Sequence, residues 1–182
     1  MKAKLILLII TISFSQIYGQ ENRTRIDEDS LKIIQKEKKE QKKQIDGSTL
    51  TELSFEDING KNYNLNSLKG KIIVLNFWFI QCKPCVEEFP DLNKLKKEFE
   101  GKPVEFFAVT WNNKNSLIKF LQNQKLNYKI IPNGKKIIDK FKIQYYPYNI
   151  IIDQNGIVEY INDVLTFNIF KKIERKIKKL LN

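Results

Sequence analysis

The sequence predicts an α/β fold: a mixed central sheet flanked by helices, with an extra N-terminal β-hairpin. Three observations predict it. The continuous apolar run Lys71 to Phe79 reads as a strand buried on both faces. Val86, Phe89, Leu92, Leu95 and Phe99 then recur at the three- and four-residue spacing of an amphipathic helix. Asn59-Gly60 and Asn155-Gly156 each separate two apolar runs, as hairpin turns do.

The elements follow in order. Residues 1–19 open with Lys2 and Lys4, continue through Leu5 to Ile12 and reach the small residue Gly19, the layout of a secretory signal peptide. An uncleaved membrane anchor is the alternative, but the apolar run falls well short of the roughly 20 residues a span needs. No cysteine follows, which argues against a lipid-anchored N-terminus, and the mature chain is expected to begin near Gln20. Residues 20–47 form a charged tether, flexible or partly helical. Lys, Glu, Gln and Asp dominate it, so it buries little, although a short helix around Leu31 to Lys43 is compatible with the pattern.

The folded domain is expected over 48–182. Leu50, Leu53 and Phe55 lead into the turn at Asn59-Gly60, and Tyr63 and Leu65 leave it. After the Lys71 to Phe79 strand and the helix ending before Gly101 comes a second strand, Val104 to Trp111, and a helix begun near Asn115. A short apolar piece follows at Tyr128 to Ile131, then a break at Pro132 to Gly134 and a short helix carrying Ile137, Ile138 and Phe141. Tyr148 to Asp153 and Ile157 to Ile161 make the second hairpin. Phe170, Ile173, Ile177 and Leu180 line one face of a last helix whose other face is basic. Strands separated by helices are expected to pair in parallel, and the last two, joined by a tight turn, antiparallel.

The chain carries 32 Lys and Arg against 21 Asp and Glu, a net charge of +11, and no histidine. The basic excess is spread along helix-like segments and is densest at Lys171 to Lys179, without interleaved stacking aromatics, so nucleic acid is not an expected partner. A peripheral contact of the last helix with an anionic membrane stays open. The lack of histidine excludes an imidazole base and a zinc site of the usual Cys/His kind, since two thiolates leave a tetrahedron half empty.

Chemistry is concentrated at Cys82-Lys83-Pro84-Cys85, where a buried strand gives way to a helix. Backbone N–H groups at a helix start, together with the Lys83 cation, favour a thiolate at Cys82. Lowering a thiol pKa from about 8.5 to about 7 takes only about 2 kcal/mol and raises the thiolate fraction at neutral pH from a few per cent to about half. Cys82 is therefore the expected nucleophile. Cys85, three residues on, is the expected resolving thiol. A purely structural disulfide across so short a loop would remove little unfolded-chain entropy, and a metal half-site would lack ligands.

Taken together, Asn76-Phe77-Trp78, Cys82-Lys83-Pro84-Cys85, Glu88-Phe89-Pro90 and Tyr146-Pro147 resemble the thioredoxin superfamily, and more closely its exported TlpA/ResA-like branch of thiol-disulfide oxidoreductases, over roughly Leu50 to Leu181. The resemblance implies a thioredoxin fold, a cis Pro147 lying against the dithiol and pairing with the substrate chain, and Glu88 as a carboxylate exchanging a proton with Cys85. Glu88 also stands at i+3 from Cys85, on the same helical face. Pro90 is expected to kink that helix. Trp78, Gln81, Lys83, Pro84, Tyr146 and Pro147 are the expected substrate-binding residues, with Trp78 as both core and site wall. Gln81 departs from the tryptophan common in thioredoxins at this place, Tyr146 is bulkier than usual, and Asn76 replaces a buried aspartate that could titrate.

The implied activity is reduction of protein disulfides in the periplasm or an equivalent envelope space. It uses the Cys82-Cys85 disulfide and no bound cofactor, with a membrane electron donor as partner. An oxidant of the same fold, or a redox-inactive binding module using Tyr145, Tyr146, Tyr148 and Phe79, are the alternatives.

Overall fold

The structure is a computed structural model describing residues 54–161 and 169–182, with helical positions 29, 30, 32, 33, 36, 39 and 40. The expected signal segment 1–19 lies outside the described residues, as does most of the tether. The chain divides into two units, Met1–Glu37 and Lys38–Asn182. In the first, the described positions are helical and Lys32 donates to the Asp29 carboxylate at 3.0 Å.

In the second unit, helical positions 39 and 40 precede the expected hairpin, strand β1 (Ser54–Glu56) antiparallel to β2 (Asn62–Asn64). Asp57 organises its turn. One carboxylate oxygen accepts from the N–H groups of Asn59 and Lys61 at 2.9 and 3.0 Å, and the other from the Tyr63 hydroxyl at 3.1 Å. Gly60 supplies the positive φ of 87° that the turn requires. A 3-10 turn over Leu65–Leu68 leads on.

The main sheet has five strands in the order β5-β4-β3-β6-β7: β3 (Ile72–Phe77), β4 (Val104–Val109), β5 (Lys129–Ile131), β6 (Tyr148–Ile152) and β7 (Val158–Ile161). The helices are α1 (Lys83–Glu87), α2 (Phe89–Glu98), α3 (Lys114–Leu121), α4 (Lys135–Lys140) and α5 (Ile169–Leu181). Along β3 every side chain is buried, and alternation sends Ile73, Leu75 and Phe77 into one core and Ile72, Val74 and Trp78 into the other. The first core is shared with the hairpin and α4, the second with α1, α2 and α5.

Two expectations need correction. The apolar piece at Tyr128 to Ile131 contains a strand, β5, parallel to β4. More important, β6 follows a helix but runs antiparallel to β3. The six residues of α4 rise about 9 Å, about half the length of a six-residue strand. The chain thus stays at the end of the sheet where β5 finished, and β6 starts there with Tyr148 opposite Phe77. A third difference is local. The helix after the cysteines is interrupted rather than merely kinked, α1 ending at Glu87 and α2 starting at Phe89 with Pro90 in its first turn. Proline fits there because first-turn N–H groups have no helical acceptor.

Candidate active site

β3 and β4 are parallel, so their carboxyl ends lie at the same edge of the sheet, and β6 begins at that edge. Brought together there are the loop Phe79 to Gln81, the cysteines, the loop after β4 and the turn before β6. Cys82 is the N-cap of α1, and its Sγ accepts from the Cys85 N–H at 3.3 Å. The two cysteines form a disulfide with Cα atoms 5.3 Å apart. Cys82 is 5% exposed and Cys85 1%, so the first thiol is nearer the surface. Since α1 has only five residues, its dipole is small, and the Cys85 N–H is the group that favours charge on Cys82.

Lys83 is exposed, with Nζ 3.8 Å from the Glu87 carboxylate, which offsets part of the cation expected to serve Cys82. Gln81 and Pro84 are exposed. Trp78 is corrected: at 0% exposure it packs edge-on against Phe89 at 5.1 Å and near Phe120, so it is core beneath the dithiol and no surface for a substrate. Strand alternation turns it inward, away from the edge where Phe79 emerges. Tyr146-Pro147 is a cis peptide; Pro147 is buried and Tyr146 is half-buried between the two cores.

Glu88 links α1 to α2. Burial raises its carboxyl to about 7, with the negative charge of Asp91 adding to the effect. Its Oε2 is buried without a hydrogen-bond partner among the described residues, as are Trp78 Nε1 and the Tyr128 hydroxyl. Burial lifts the Tyr128 phenol well above its ordinary value, and the Glu88 charge contributes. Asn76, next to last in β3, donates from Nδ2 to Asn149 Oδ1 at 3.0 Å.

Residues the motifs did not single out complete the edge. The Ile80 N–H donates to Asn112 Oδ1 at 2.9 Å, and Thr110 Oγ1 donates to the same oxygen at 2.8 Å. The Trp111 ring stacks on Phe79 with centroids 4.4 Å apart. A signal was present: Thr110 to Asn113 directly follow a parallel strand, the end of an open α/β sheet where ligands bind. Among the described residues no group of three His, Cys, Asp or Glu side chains could hold a metal.

The match with known proteins follows this geometry. The AhpC/TSA family model matches residues 47–161. A thiol-disulfide oxidoreductase ResA of Bacillus thuringiensis subsp. konkukian is 31% identical over 144 residues, covering 78% of this chain and 82% of its own length. The ResA of Bacillus subtilis is 30% identical over 124 residues, covering 66% and 69%. Among solved structures, the thioredoxin domain of the thiol-disulfide oxidoreductase BVU-2223 from Bacteroides vulgatus superposes with a TM-score of 0.62 at 22% identity, over 76% of this chain and 99% of that one. The exposed lipoprotein thioredoxin Etrx1 of Streptococcus pneumoniae gives 0.61 at 21%, over 70% and 98%. These two likenesses establish the thioredoxin fold. With its cysteine pair closed at the start of a helix and ResA relatives over most of its length, the chain belongs to the AhpC/TSA family and is a thiol-disulfide oxidoreductase of the ResA type.

Proposed function

We propose that the chain is a reductant of protein disulfides in the periplasm or an equivalent envelope space, with Cys82 attacking and Cys85 resolving. The observation that carries this reading is the asymmetry of the pair. Cys82 is the more accessible and accepts an N–H bond, whereas Cys85 is deeper and stands three residues before Glu88, whose carboxyl burial raises to about 7.

In the reduced protein the Cys82 thiolate attacks a substrate sulfur, breaking its disulfide and releasing one substrate thiol. Cys85 then gives its proton to the Glu88 carboxylate and attacks Cys82 Sγ, releasing the second substrate thiol. Two electrons pass to the substrate and the Cys82-Cys85 disulfide remains. Gln81, Lys83, Pro84, Tyr146 and Pro147 line the path of the substrate chain. No bound cofactor is needed, and a membrane dithiol donor restores the pair. Residues 1–19 direct export and residues 20–47 tether domain 48–182. The basic outer face of α5 offers a peripheral contact to an anionic membrane.

Equilibrating the purified mature protein against glutathione or dithiothreitol ratios, with free thiols trapped, tests the direction. A potential near or below about −250 mV fits a reductant. One near about −120 mV makes it an oxidant, and no reversible couple removes the dithiol mechanism.

A further inference from the structure

We propose that Trp111, with Phe79 and Tyr146, selects substrates whose reacting cysteine is preceded by an aromatic or large aliphatic residue. The inference rests on the reading of Cys82 as the thiol that engages substrate disulfides.

Three rings from three segments meet at the carboxyl edge of the sheet. Phe79 and Trp111 stack at 4.4 Å and 24°, and Tyr146 stands nearly perpendicular to both, at 5.3 and 5.0 Å. Phe79 is tied to the dithiol by the chain itself, and Tyr146 joins it through edge-on contact with the Phe79 ring. The Phe79 carbonyl accepts from the Cys82 N–H at 3.0 Å, and Tyr146 directly precedes the cis proline. Trp111 joins through its stack on Phe79, and the bond from Ile80 N–H to Asn112 Oδ1 fixes the loop that carries it.

Phe79 covers one face of the indole and Tyr146 meets it edge to face, yet Trp111 is still 39% exposed, and neighbouring Tyr145 60%. Phe79 joins this apolar surface to the loop that leads into Cys82. A chain that delivers a disulfide to Cys82 must lay its adjacent residues over one of the segments flanking it. The surrounding charge disfavours a cation as the occupant. Exposed Lys114 starts α3 just after Trp111, Lys83 between the cysteines is only partly offset by Glu87, and Asp139, the carboxylate acting on Tyr146, is already held by Lys135 at 2.6 Å. A neutral apolar side chain remains, gaining by removal of its own surface and of the indole's from water.

The test uses the reduced mature protein and peptides identical except for the residue before a single cysteine, Phe, Ser or Arg, each joined by a disulfide to the same small thiol. Cys82 attacks the peptide sulfur, the small thiol leaves with a proton, and Cys85 displaces the peptide thiol. The wild type should reduce the Phe peptide about tenfold faster than the Ser peptide in kcat/KM. Trp111→Ala should bring that ratio to within about twofold of unity, and Trp111→Phe should keep most of it. Because each ratio is measured on one protein sample, loss of folded fraction cancels. A wild-type ratio near one, a ratio unchanged in Trp111→Ala, or fastest reduction of the Arg peptide overturns the proposal. Failure of the dithiol reading shows differently, as a wild type that reduces none of the three, and it overturns the selectivity with it.

Discussion

The backbone N–H of Ile80, two residues before Cys82, is held by the side chain of Asn112 at 2.9 Å. One oxygen, Asn112 Oδ1, also accepts from Thr110 Oγ1, so the loop entering the dithiol and the loop leaving β4 share an anchor. Asn112→Ala leaves the Ile80 N–H without its acceptor. The expected cost is about 1 to 2 kcal/mol in urea unfolding, with faster hydrogen exchange at the Ile80 amide. Asn112→Asp keeps an acceptor and should recover much of the loss. Equal effects of the two variants would show that the bond is not what holds the loop.

Behind that loop stands Gly134, whose N–H donates to the Thr110 carbonyl at 2.7 Å. A Cβ there would lie 2.6 Å from Val109 Cγ1 and 3.1 Å from the Thr110 oxygen. The φ of −75° is ordinary, so the constraint is space. Gly134→Ala should destabilise by about 1 to 3 kcal/mol. Combined with Val109→Ala the loss should be less than additive, because the second change removes the methyl that clashes. Strict additivity of the two denaturation midpoints would count against a steric cause.

Asn76 and Asn149 face each other across β3 and β6, both fully buried and joined by one hydrogen bond of 3.0 Å. Asn149→Ala strands the Asn76 amide in an apolar core and should cost about 1 to 3 kcal/mol. Replacing both by Ala should cost less than the sum of the single changes, since no polar group is then left without a partner. A double-mutant cycle on thermal or urea unfolding measures the difference. A coupling of zero would mean the pair contributes nothing as a pair.

How much of this could be read beforehand depended on whether a feature was local. The run Lys71 to Phe79 announced β3, because burial on both faces demands unbroken apolarity, and the cysteine spacing at its end announced the site. The direction of β6 was not legible. It depends on how far a six-residue helix carries the chain, and no local pattern encodes that. Trp78 and Trp111 show the same limit. Both adjoin strand ends in the sequence, yet one is sealed beneath Phe89 and the other is held at the surface by contacts with Phe79 and Tyr146, residues distant from it in the chain.

Glu88 gives the site a pH dependence whose sign follows from burial. Its carboxyl is raised from 4.5 to about 7, so the folded protein binds the proton more tightly than the unfolded chain. The associated stability is complete below about pH 4.5, falls as pH rises through 7, and is absent above. Solvent reaching the partly exposed carboxyl reduces the effect to about 1 to 2 kcal/mol. Glu88→Gln should remove this slope and make the oxidised protein more stable than wild type at pH 8, but not at pH 4.5. The same change should slow release of a substrate from its mixed disulfide with Cys82 near pH 7, because the proposed acceptor of the Cys85 proton is gone. Urea unfolding at the two pH values, together with single-turnover kinetics, measures both effects. An unchanged slope in Glu88→Gln would show that the carboxyl titrates at its ordinary value, and an unchanged resolving rate would remove it from the proton transfer.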